Sequence, residues 1–160
     1  MATPKPFLHN RFLRELEQFA TDEVAPASWP PSLLATLLIG GDQTRPSPAV
    51  RHLIPLLHAR QAMLKAAFDT EQVADALRRY QKFAKPGQPS PHIVQLRQQQ
   101  AAVRQASSQS RQLLVQSAAA FVREAGIKPP SRVALEPFIV GWMESCLPAE
   151  PADTTGNSAA

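Results

Sequence analysis

Apolar residues recur at three- and four-residue steps along most of this chain, and prolines and glycines cut the pattern into pieces, which predicts a succession of helices. Leu8, Phe12, Leu16 and Phe19 form the stripe of a first helix over about 7–24, with Arg11, Arg14, Glu15 and Gln18 off it. Pro26, Pro30 and Pro31 then break the chain. A second helix, from Ser28 to Gly40-Gly41, carries Leu33, Leu34, Leu37, Leu38 and Ile39 with almost no polar face, so it is expected to be wholly buried.

Ser47-Pro48 starts a third helix, with Ser as the cap and Pro at the first helical position. Pro55 lies inside its stripe of Val50, Leu53, Ile54, Leu57, Met63, Leu64 and Phe68, so a kink or two abutting helices are expected there. Asp69 or Thr70, with Gln72 at capping-box spacing from Asp69, opens a fourth helix carrying Val73, Leu77, Tyr80 and Ala84. Residues 85–91 hold three prolines and a glycine and read as a stiff connector. Ser90-Pro91 caps a fifth element that can run unbroken to Gly126. Lys128-Pro-Pro-Ser131 interrupts again, and a last helix over about 136–147 buries Phe138, Ile139, Trp142, Met143 and Cys146, with Gly141 allowing a close helix contact. The small, polar residues from Pro148 onward are expected to be disordered.

The pattern therefore predicts an all-α fold: a helical bundle over 7–84, a connector over 85–91, and a long Gln/Arg-rich helix plus a short C-terminal helix over 92–147, with a tail over 148–160. No internal repeat and no strand of convincing length is evident. At 160 residues the chain can bury a real core. Its longest apolar run, Leu33–Ile39, is far too short to span a bilayer, and no secretory signal is visible, so no membrane association is expected. One cysteine excludes an intramolecular disulfide and fits a reducing compartment, hence a cytoplasmic location. Twelve arginines against five lysines, with abundant Ala and Pro, fit a GC-rich bacterial coding sequence as well as an anionic partner.

Charge changes the picture most. Between Ala76 and Arg123 there are eight basic residues and no carboxylate, whereas the flanks carry net charges of −1 and −3. Within that stretch Arg97, Arg104 and Arg111 recur every seven residues, so on a helix they point nearly the same way, about 10.5 Å apart. Gln100, Ser107 and Ser108 fill the gaps. The same spacing suits a residue flanking a coiled-coil seam, and with Ile93 and Leu96 as its first members the seam continues through Gln100, Val103, Ser107, Ser110, Leu114, Ser117 and Phe121. Half of those are polar, and a merely solvated face is the plain alternative. Nearby, Arg78, Arg79, Lys82 and Lys85 interleave with Tyr80 and Phe83, as on a single-strand stacking platform. Core spacing of both rings, and the lack of any aromatic from Ala84 to Ala120, argue for core residues beside a basic helix end.

Catalytic and metal chemistry find little to work with. His52 and His58 lie six residues apart, on different sides of a helix, and no carboxylate stands between Gln43 and Phe68 to join them. Cys146 has apolar or acidic neighbours and no histidine after His92, so it reads as a core residue rather than a nucleophile. Glu15 and Glu17 face apart, and Gly40-Gly41 lacks the Gly-Lys-Ser/Thr of a phosphate loop. The expectation is therefore a non-enzymatic adaptor or assembly protein, without cofactor, metal or small-molecule substrate. It would bind an acidic protein partner, or its own copy, through Arg78, Arg79, Lys82, Arg97, Gln100, Arg104 and Arg111. The alternative is a nucleic-acid-binding accessory protein, indifferent to sequence, using the same cations. A small regulatory enzyme with its site between two copies is a third reading.

Overall fold

In the computed structural model the residues described are 5–23, 26, 28–37, 45–82, 87 and 90–150. Among them are five helices: α1 (Asn10–Asp22), α2 (Pro31–Leu37), α3 (Pro48–Gln81), α4 (Pro91–Ala125) and α5 (Leu135–Cys146), with no strand. The fold is all-α, as the periodicity predicts. The expected end of the second helix at Gly40-Gly41, most of the proline connector, Phe83 and the chain from 151 lie outside the described residues.

Helix α1 buries Phe12, Leu13, Leu16 and Phe19 on one face. Trp29, buried just before α2, packs its ring on Phe12 and Phe19 with centroids 5.3 and 5.4 Å away. Its indole nitrogen donates to Glu15 Oε2 at 2.9 Å, so the polar end of a buried ring is satisfied. The Ser47 amide donates to the Leu37 carbonyl at 2.7 Å and ties the start of α3 to the end of α2.

Helix α3 is a single element where a kink or break at Pro55 and a new start near Asp69 are expected. Pro55 removes one ladder donor, but helical structure continues on both sides of it. The polar groups expected to cap a new helix are used otherwise. Thr70 Oγ1 donates back to the Ala66 carbonyl at 2.7 Å, and Asp69 pairs with Lys65 one turn earlier at 3.5 Å. A run of Leu56, Ala59, Met63, Ala66, Thr70, Val73 and Leu77, alternating three- and four-residue steps, is buried or half-buried throughout and carries the helix across both sites.

The ends of α4 follow local chemistry. Ser90 Oγ accepts from the Ile93 amide at 3.2 Å, Pro91 takes the first helical position, and Gly126 closes the helix at φ 71°. The Gly126 amide donates to Arg123, and the Ile127 amide donates to Val122 at 2.9 Å, which is Schellman geometry.

Two apolar clusters organise the molecule. The main one joins α1, Trp29, α2, the first half of α3, the last part of α4 and α5, with Phe12, Phe19, Leu53, Leu57, Leu114, Phe121, Ile139 and Met143 at its centre. A small second cluster joins Leu77 near the end of α3 to Ile93 and Leu96 near the start of α4. The two helices are therefore antiparallel, with the main cluster at one end and the small one at the other. No residue of α3 beyond Met63, and none of α4 before Leu114, belongs to the main cluster. At 1.5 Å per residue, helices of 34 and 35 residues are each about 50 Å long, so roughly half of each extends from the base as a two-helix arm.

Three expectations for the C-terminal part are corrected. Cys146 is exposed, because Ile139, Met143 and Leu147 define the buried line of α5 and position 146 lies to one side of it. Gly141 faces open space and permits no close helix contact. Pro148–Glu150 pack along the start of α1 instead of being disordered: His9 Nδ1 meets the Pro148 carbonyl at 2.9 Å, and the Glu150 amide donates to Leu8 at 2.7 Å. The Glu150 carboxylate accepts from the Arg11 amide at 2.7 Å and so caps a helix whose own N-cap, His9, offers no side-chain bond.

Candidate interaction surface on the helical arm

The heptad seam read from the sequence is the face α4 turns toward α3. Ile93, Leu96, Ser110, Leu114, Ser117 and Phe121 are buried, and Gln100, Val103 and Ser107 are half-buried. Polar members are tolerated there because their hydroxyls need no partner across the seam. Ser110 Oγ donates to the Ala106 and Ser107 carbonyls of its own helix, at 2.8 and 3.1 Å. Gln100 belongs to this seam rather than to the outward stripe it is expected to share with the arginines.

Arg97, Arg104 and Arg111 are all exposed, one heptad apart on the edge of the seam. Their surroundings differ. Arg111 Nε lies 2.6 Å from Glu136 Oε2 in the first turn of α5. Arg97 and Arg104 make no ion pair or hydrogen bond among the described residues. Leu77 of α3 packs with Ile93 and Leu96 of α4, so Arg97 and Arg104 lie along the part of the arm that runs from this small cluster toward the base. Edge positions of paired helices ordinarily carry the charges that match across the seam. Here neither Arg97 nor Arg104 is matched by an acid among the described residues.

The far end of the arm holds the remaining cations. Arg78 pairs with Asp75 one turn before it, whereas Arg79 and Lys82 are exposed without an ion pair among the described residues. Tyr80 is 47% exposed, outside the core its spacing predicts, and its ring meets His92 edge-on with centroids 4.3 Å apart. The sequence gives no hint of His92 here, because it precedes a different helix and the contact forms only when the hairpin closes.

Metal and catalytic candidates stay dispersed. No group of three potential ligands is found among the described residues. His58 Nε2 contacts Glu17 Oε1 at 2.6 Å on the surface, an α1–α3 tie, and His52 is half-buried. Among the described residues no helix is long and apolar enough to cross a membrane. Comparison with protein-family models, with characterised proteins and with solved structures finds no match to this chain.

Proposed function

We propose that this protein is a non-enzymatic cytoplasmic adaptor or assembly factor whose α3–α4 arm, an antiparallel coiled coil, docks on the acidic surface of another protein. The observation that carries the reading is the pair Arg97 and Arg104, exposed on a stretch without a single carboxylate and without an ion pair among the described residues. Neither guanidinium is ion-paired or hydrogen-bonded among the described residues, so their charge is available to a partner. Guanidinium–carboxylate pairing is already the chemistry of this stripe at Arg111.

Nucleic acid is the second reading, favoured by Arg79 and Lys82 beside the Tyr80–His92 ring pair at the end of the arm. It is the weaker one, because the four cations of the arm that are unpaired among the described residues make few phosphate contacts and no Phe, Tyr or Trp lies between Ala84 and Ala120. A pull-down with the full chain and with Arg97→Glu/Arg104→Glu, each with and without nuclease, separates them, followed by light scattering of the recovered complex. The expected result is an acidic protein retained after nuclease treatment and lost with the double variant. Recovery that disappears with nuclease, together with a salt-sensitive mobility shift of DNA, would replace the first reading with the second.

A further inference from the structure

The seven-residue series on α4 does not end at Arg111. Its next member is Ala118, which is fully buried in the main cluster. Helix α5 accounts for the change. Its Trp142 ring packs at a tilt against Phe121, with centroids 5.0 Å apart, and its first-turn Glu136 reaches Arg111. Read toward the base, the four positions on this edge are therefore open at Arg97, open at Arg104, ion-paired at Arg111 and covered at Ala118. Helix α5 occupies the lower part of a track whose upper part is vacant.

The contact at the occupied part defines what suits the rest. A helix lies across the hairpin, buries its apolar line, and presents a carboxylate to an edge arginine. Glu136 keeps only 25% of its side-chain surface while Arg111 keeps 68%, so the acid is the more enclosed partner. Further along, Ala67 and Ala74 are short side chains on α3, with the exposed Glu71 one turn from each of them. Ala101, exposed between Arg97 and Arg104, is another short side chain on α4.

We infer that Arg97 and Arg104 receive an acidic amphipathic helix of a partner protein, laid on the arm as α5 is laid on the base, with its carboxylates one heptad apart. The inference rests on the proposed acidic-partner function and adds the shape and spacing of what is bound. Carboxylates seven residues apart on a helix repeat at about 10.5 Å, the spacing of the two guanidiniums along α4. A duplex, whose phosphates recur every few ångströms, has no reason to prefer that spacing.

The test uses the isotopically labelled full chain and two synthetic helical peptides of identical composition. One carries its glutamates a heptad apart along the edge of its Ala- and Leu-bearing face, as Glu136 stands to Ile139 and Met143 in α5, and the other has the same glutamates turned to unrelated sides. The expected result is at least about tenfold tighter binding of the heptad peptide. Its footprint should include the Nε–H signals of Arg97 and Arg104 but not that of Arg111, and Arg97→Glu/Arg104→Glu should abolish it without changing the far-ultraviolet dichroism. Equal affinity of the two peptides through the same arginines would overturn the spacing and leave the acidic-partner reading standing. Binding of neither peptide, with a DNA duplex moving the same signals, would overturn both. Failure of peptides and duplex alike would refute the track as a docking site.

Discussion

At the base, α3 and α4 bury Leu53, Leu57, Leu114 and Phe121 among side chains supplied by three further helices; along the arm, the same two helices meet across Ala66, Thr70, Val103 and Ser107. The base is held by large apolar groups that have no room to relax, and the arm by small ones that let two backbones come close. Burial of apolar area is worth about 25 cal/mol per Å², so the base carries most of the stability and the arm little more than its own helices require. Stability and recognition are thus assigned to different halves of one hairpin. The half with the weaker core carries Arg97 and Arg104, which have no acid partner among the described residues.

The largest expected contrast comes from Phe121→Ala, which removes a fully buried ring in contact with Trp142 and should cost about 3–5 kcal/mol in chemical denaturation. A loss below about 1 kcal/mol would mean that the base is no better packed than the arm. Next, Ala66→Leu places a long side chain in the seam where Ala66 is 5% exposed, and should cost about 1–3 kcal/mol through overpacking. If the arm instead gains stability, close approach of the helices is not what the small residues provide. The smallest effect belongs to Ser110→Ala, expected within about 0.5 kcal/mol of neutral and in the stabilising direction, since the hydroxyl bonds only its own helix and alanine is the better helix former. A loss above about 1 kcal/mol would reveal a partner for that hydroxyl across the seam.

How much of this was legible in the sequence differs with the range of the interaction that decides it. Both ends of α4 could be read because Ser90-Pro91 and Gly126 act within one turn of themselves. The heptad seam of α4 was legible for a similar reason: period alone picks the face, whatever packs on it. The continuity of α3 was not. Pro55 and Asp69 are local stop and start signals, and they are outweighed by a seam on the opposite helix that keeps rewarding helical geometry past both. Contacts between distant segments were illegible for a plainer reason, since neither Glu136 beside Arg111 nor His92 beside Tyr80 leaves a mark on its neighbours. Of the expected interaction surface, Arg79, Lys82, Arg97 and Arg104 are exposed and without an acid partner among the described residues, Arg111 and Arg78 are each held by an acid, and Gln100 is turned into the seam.

The bond from the Arg11 amide to the Glu150 carboxylate spans 139 positions. During synthesis, α1 leaves the ribosome long before the residue that completes its first turn has been translated. Its earliest amides must stay hydrated, or be served by something else, until the end of α5 and the three residues beyond Leu147 arrive. Among the five helices described, α1 is translated before the others and capped after them.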